Sequence, residues 1–212
     1  MNKVFKALII ILSMLALLSI SVAVPILIRP FYYAHIDYYD LDKNMGISKE
    51  ETKEAYNEML DFCIGKTDEF STGVLKYSEE GKAHFEDVRK LFILDFAVMG
   101  VSVVALLGIW LFKKWPEFKK HSALFYASTG LCSVIVLLGA AAATDFNKFF
   151  YLFHAMFFPG KDNWLFDPNY DQIIEILPEE FFRNCAIAIL AVIVLVTIIV
   201  IAKDRKRKYT NS

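Results

Sequence analysis

Apolar residues run along this chain in four long, nearly unbroken stretches, with polar residues gathered between them. The stretches are 7–28, 91–112, 123–144 and 185–202. A helix needs about 20 mostly apolar residues to cross the hydrocarbon core of a bilayer, so each stretch is predicted to span a membrane. The first carries only Ser13, Ser19 and Ser21 as polar guests, and the second has one charge, Asp95. The third is rich in small residues (Gly130, Gly139 and Ala140 to Ala143), which lets helices approach closely in lipid. The first stretch has a basic start at Lys3 and Lys6, and Ser21-Val22-Ala23 resembles a signal-cleavage site. However, its apolar run continues through Pro25 to Ile28, beyond the roughly 7–15 residues of a signal core, so it is expected to remain as a span.

The two long connections, 29–90 and 145–184, are patterned rather than linker-like. The first opens with Phe31, Tyr32, Tyr33, Tyr38 and Tyr39, residue types suited to the membrane–water boundary. Ser48-Lys49-Glu50-Glu51 is a capping box, and the helix it starts shows Tyr56, Met59, Leu60 and Cys63 at helical spacing before Gly65. A second helix is predicted to begin at Ser78 and to run through His84 into the second span. In the other connection, Phe146, Phe149, Phe150, Phe153, Phe157 and Phe158 predict a helix lying in the headgroup boundary. Pro159-Gly160 turns the chain. Asp167-Pro168 then predicts an N-cap with proline at the first position of a short helix whose apolar face is Ile173, Ile174 and Leu177. Pro178-Glu179-Glu180 marks the entry to the last span. The expected fold is all-α: a four-helix polytopic membrane protein with two structured helical extracellular loops, forming one integral domain over residues 1–212.

Composition agrees with a chain solvated largely by lipid: 56% of its 212 residues are hydrophobic and its mean hydropathy is +0.41. Disorder and a disulfide-stapled miniprotein are excluded on the same grounds. A net charge of −1 conceals an asymmetry. Two basic residues precede the first span, four (Lys113, Lys114, Lys119, Lys120) lie between the second and third, and five (Lys203, Arg205, Lys206, Arg207, Lys208) follow the fourth. Only Glu117 and Asp204 oppose them, whereas the two long connections hold 21 acidic and 12 basic residues. The positive-inside rule therefore puts both termini in the cytoplasm and both long loops outside. Cys63, Cys132 and Cys185 have no regular spacing; a Cys63–Cys185 bridge is one reading, and free thiols are the expected state.

Chemistry narrows to a few side chains. His121, beside Lys119 and Lys120, reads as a boundary anchor, and His35, among tyrosines, as structural. His84 is more informative: on a continuous helix Asp87, Leu91 and Asp95 follow it within about 60° of one face. Asp95 lies inside a span, where an ionisable group is costly, so it is either functional or bonded to a neighbouring helix. His154 stands in the aromatic segment on the same expected side. Two imidazoles with carboxylates nearby (Asp87, Asp145, Asp167 and Asp171) can hold a neutral base and an orienting or acidic partner near neutral pH. There is no G-x-S-x-G, no H-E-x-x-H, no phosphate-cradling glycine loop and no basic outer groove for nucleic acid.

The run from Phe153-His154-Ala155-Met156-Phe157-Phe158-Pro159-Gly160-Lys161-Asp162-Asn163-Trp164 to Asp167-Pro168 is a long and specific motif. With Asp171, Ile174 and Leu177-Pro178-Glu179-Glu180-Phe181-Phe182, and with His84-Phe85-Glu86-Asp87-Val88, it resembles the lipoprotein intramolecular transacylase (Lit) family. The resemblance implies a multi-pass enzyme of the bacterial cell membrane that acts on diacylglyceryl-modified lipoproteins. It implies movement of the sn-2 acyl chain onto the α-amine of the N-terminal cysteine, giving the lyso-form. His84 and His154 are then the expected catalytic pair. Asp87 and Asp145 are expected to orient or tune them, and Asn163, Trp164 and Arg183 to position the substrate's carbonyl and glyceryl head. The expected partners are the lipoprotein N-terminus and membrane lipid, with no nucleic acid, cofactor or metal. The competing expectation is an outer-facing metal-binding or sensing membrane protein in which the same histidines and acids ligate an ion.

Overall fold

The computed structural model describes residues 3–112, 116, 118 and 120–210, the last four by backbone alone. Lys113, Lys114, Trp115, Glu117 and Lys119 lie outside the described residues, as do the side chains of Arg207 and Lys208. Among the described residues the chain forms helices α1 (Lys3–Leu27), α2 (Arg29–Tyr38), α3 (Leu41–Met45), α4 (Lys49–Cys63), α5 (Glu79–Leu111), α6 (Ala123–Thr144), α7 (Phe146–Phe157) and α8 (Glu179–Thr210). A single 3-10 helix, Gln172–Ile176, lies between α7 and α8. Four of them, α1, α5, α6 and α8, are long and apolar enough to cross a membrane.

The fold divides into two compact units. The first holds residues 1–24, 95–141 and 186–212 and contains most of the four long apolar helices. Its interior is thin: Leu17, Leu131 and Ile193 form the buried cluster, with Met14, Leu18, Cys132, Ile135, Ile189 and Val196 around it. Its outside is apolar, as lipid solvation requires, with Val101, Val104, Leu107 and Trp110 all exposed. Two buried serines of α1 bond within their own helix. Ser13 donates to Ile9 O at 2.8 Å and Ser21 to Leu17 O at 2.7 Å. Small residues allow close packing, with Leu190 3.6 Å from the point where a Cβ on Gly139 would stand. Asp204 accepts from the backbone N–H of Ser122 at 2.9 Å and pairs with His121, so His121 closes the start of α6.

The second unit holds residues 25–94 and 142–185, the two long connections of the sequence. It has the core of a soluble domain, built on Tyr32, Ile36, Tyr56, Cys63, Ile173, Ile176 and Phe181. Tyr32 is fully buried, stacks on Tyr56 at 3.6 Å and donates to Ile176 O at 2.9 Å, so it is a core residue and not a boundary one. The Ser48–Glu51 capping box is present and α4 ends where expected. Cys63, Cys132 and Cys185 are free thiols.

One predicted start signal is displaced. Asp167 does not cap a helix; it holds a turn, accepting from the N–H and Nδ2 of Asn169 at 2.9 and 2.8 Å. The short helix begins five residues later, is of the tighter 3-10 type, and follows Asp171. The reason is that Asp171 is engaged elsewhere. Its carboxylate accepts from the N–H and Oγ of Ser78 at 2.8 to 3.0 Å, at the start of α5. Ser78 Oγ in turn accepts from the N–H of Gly81 at 2.9 Å. Beside this clamp the two connections exchange a pair of bonds, Gln172 N–H to Lys76 O at 3.0 Å and Lys76 N–H to Gln172 Oε1 at 2.9 Å. The first turns of α5 are therefore fixed by the segment that follows α7.

Candidate functional site: a pair of buried imidazoles

The apolar part of α5 begins at Leu91, and residues 79–90 are the polar turns ahead of it. His84 lies on those turns and is 5% exposed; His154 lies in the last turn of α7 and is 8% exposed. The two rings meet, with centroids 5.8 Å apart and planes 32° from parallel. Aromatic side chains enclose them. His84 sits against Phe158 at 4.9 Å and Phe166 at 5.4 Å. His154 is sandwiched by Phe150 at 4.2 Å and Trp164 at 4.6 Å, the indole nearly parallel to it at 28°. The helical period of α7 explains this placement: Phe150 and His154 are one turn apart, on the face opposite exposed Leu152 and Met156.

The surroundings set the charge and tautomer. His154 Nδ1 is 2.8 Å from Phe150 O. A carbonyl only accepts, so Nδ1 carries the proton and Nε2 keeps its lone pair. Burial holds His154 below the usual imidazole range, partly offset by that same bond. His84 is lowered to about 4, first by burial and then by His154 and Lys161, with Asp87 acting in the opposite sense. Both rings are therefore neutral near pH 7. His84 Nδ1 has no hydrogen-bond partner among the described residues, and neither has the buried Oδ1 of Asn163.

The carboxylates take different places from those expected. Asp87 is near His84 but bonds to neither imidazole. It pairs with Lys161, with Lys90 at 2.9 Å, and more weakly with Asn163 at 3.5 Å. Burial raises its carboxyl, and the bonds from Lys161, Lys90 and Asn163 more than offset that, leaving it lowered to about 2. Asp145 caps α7, accepting from the N–H of Lys148 at 3.0 Å, and is exposed. Asp171 clamps the start of α5 and Asp167 holds its own turn, so neither touches the pair. Asp95 belongs to the other unit, near Ser19 of α1, and its buried Oδ2 has no hydrogen-bond partner among the described residues. Arg183 is exposed and forms no ion pair among the described residues. His35 is structural: it donates from Nδ1 to Phe31 O at 2.7 Å and faces Asn184 Nδ2 at 3.0 Å.

Sequence reasoning passed over Lys161, Phe158 and Phe166. Their signal was position: Phe158 and Lys161 flank the Pro159-Gly160 turn that carries the chain from His154 back toward α5, and Phe166 follows six residues after Gly160. Among the described residues no three His, Cys, Asp or Glu side chains gather as a metal-ligand group.

A family model described as lipoprotein intramolecular transacylase Lit matches residues 7–182. The chain belongs to the Lit family. It is thus an acyltransferase of membrane-integral type whose substrate class is the lipoprotein. Its fold is similar to the membrane-integral lipoprotein intramolecular transacylase Lit from Bacillus cereus, with a TM-score of 0.86, 27% identity and full coverage of both chains. Two further structures of that Lit protein, each with one histidine replaced, are also similar. The arginine variant has a TM-score of 0.79 at 27% identity, covering 98% of this chain and 95% of that one. The alanine variant has a TM-score of 0.81 at 26% identity, covering 99% and 96%. No curated protein matches the chain.

Proposed function

We propose that this chain moves the sn-2 acyl group of a diacylglyceryl-modified lipoprotein onto the α-amine of its N-terminal cysteine, with His84 and His154 as the catalytic pair. The observation that carries the reading is the contact of two buried, neutral imidazoles inside an aromatic enclosure. The reaction joins groups already tethered in one molecule. From the amine nitrogen through Cα, Cβ, sulfur, two glyceryl carbons and the ester oxygen to the carbonyl carbon, the ring closed by attack is eight-membered. The protein's main task is to fold the substrate, where large effective molarities arise, so neither cofactor nor enzyme-bound acyl group is needed.

The α-amine has a pKa of about 7.7–8.0, so roughly a tenth is neutral at pH 7. As the amine attacks, His154 Nε2 takes its proton, the lone pair there being left open by the Nδ1 bond to Phe150. The N–C bond forms, the C–O bond breaks, and His154 returns the proton to the glyceryl oxygen. A site that depresses imidazole basicity makes His154, once charged, a readier donor for that step. Neutral His84 supplies a ring N–H toward the carbonyl oxygen as it gains charge. Trp164 and Asn163, at the edge of the pair, face the glyceryl head. Asp87, Asp145, Asp167, Asp171 and Arg183 shape the surroundings, and Asp95 acts within the spans.

The chain works as one integral domain in the bacterial cell membrane, with both termini cytoplasmic and membrane lipid rather than nucleic acid as its surroundings. The test is mass spectrometry of the N-terminal peptide of a reporter lipoprotein co-expressed with the enzyme. Wild-type protein should yield an N-acylated cysteine and a lyso-glyceryl group; H84A and H154A should yield neither while inserting normally. Wild-type-like turnover in both variants overturns the assignment.

A further inference from the structure

The two imidazoles come from segments far apart in the chain, and neither holds the other by a hydrogen bond. Something else must set their separation. After His154, the N–H of Phe158 returns to His154 O at 2.8 Å and the N–H of Lys161 to Phe158 O at 3.2 Å. Gly160 supplies the left-handed conformation this turn requires, with φ of 72°. The turn delivers the Lys161 ammonium to Asp87, one helical turn beyond His84 on α5. The backbone of the same lysine reaches the other ring: Trp164 Nε1 donates to Lys161 O at 3.0 Å, and Trp164 is the indole stacked on His154.

We propose that Lys161 and Asp87 are positioning residues: their ion pair is a clasp that fixes the turn after α7 to α5 and so sets the distance between His84 and His154. This inference rests on the histidine reading above. Its energetics are asymmetric. The Asp87 side chain is only 10% exposed, whereas Lys161 is 47% and Lys90 72% exposed. Exposed Lys90 adds little. Removing Lys161 leaves a buried carboxylate to exposed Lys90 and the weaker Asn163 contact, which is worse than removing both partners together. Asn163, 3.5 Å from Asp87, closes the same cluster.

The experiment is a double-mutant cycle on the full-length enzyme in detergent or vesicles, with D87N, K161M, the double variant and the exchange D87K/K161D. The substrate is a synthetic diacylglyceryl-cysteinyl peptide, H84A and H154A are run alongside, and thermal midpoints report folding. K161M should lower kcat by roughly 100-fold, the scale of a displacement of about 1 Å, with KM little changed. D87N should lower it less. The double variant should be no worse than K161M, and the exchange should recover activity. Losses that multiply across the cycle overturn the clasp, since contacting residues couple and independent ones do not. A rise in KM with no recovery on exchange also overturns it, because Lys161 would then touch substrate. Retained turnover in both H84A and H154A would overturn the histidine reading instead, whatever the cycle shows. A K161M that fails to fold leaves D87N and the exchange to decide between the same outcomes.

Discussion

Gly81→Ala should destabilise this protein, against the usual sign of a helical glycine replacement. In an exposed helix interior, alanine is favoured over glycine by about 1 kcal/mol. At Gly81, in the first turn of α5, a Cβ would stand 2.0 Å from Asp171 Oδ1 and 2.8 Å from its Cγ. The Asp171 side chain must swing aside to admit it, which takes the carboxylate off Ser78. Asp171 is 5% exposed, and its bonds to the Ser78 N–H and hydroxyl are charge-assisted. Each is worth about 1.5–3 kcal/mol. Two such bonds less the propensity gain leave a net loss of about 2–5 kcal/mol. For a chain of this length that lowers Tm by at least about 4 °C. The measurement is thermal unfolding in detergent followed by tryptophan fluorescence, run also in an Asp171→Ala background. There the obstacle is gone and Gly81→Ala should raise Tm by a few degrees. A rise in both backgrounds would refute the steric argument.

Two further outcomes follow from the site. Because burial lowers both imidazoles, their neutral forms persist as the pH falls through 6.5. The acid limb of log kcat/KM should then follow the substrate amine alone at about pH 6.5, with a slope near one there; a slope near two at that pH in a pH–rate profile would contradict this. Trp164→Ala should cut turnover by about 10-fold and raise the apparent pKa of His154 by admitting water to its face, whereas Trp164→Phe should preserve both, as read from single-turnover kinetics and histidine NMR.

The architecture was legible because lipid and helix periodicity each leave a strong mark. Four apolar runs gave α1, α5, α6 and α8, while Ser48–Glu51, Pro159-Gly160 and Pro178-Glu179 marked the start of α4, the end of α7 and the start of α8. The convergence of His84 and His154 was also readable, since both were expected on one side at similar depth. What local pattern could not supply was which carboxylate meets which partner. Asp87 shares a helical face with His84 yet turns to Lys161, whose charge offsets the cost of burying it. Asp171 looked like a tuning group and is a clamp, because its partners at Ser78 and Gly81 lie 90 or more positions away in the chain. Tyr32 carried boundary chemistry and went to the core, because its hydroxyl found the carbonyl of Ile176.

The imidazole on α5 is synthesised before two spans have been made, and its counterpart on α7 only after them. A ribosome must therefore deliver both intervening hydrophobic segments before either ring acquires a mate. On the histidine reading proposed above, an interrupted or clipped product carries one ring of the pair and should show no turnover. Competence arises at assembly, so a cell that controls insertion and quality of this protein also controls when acyl chains begin to move.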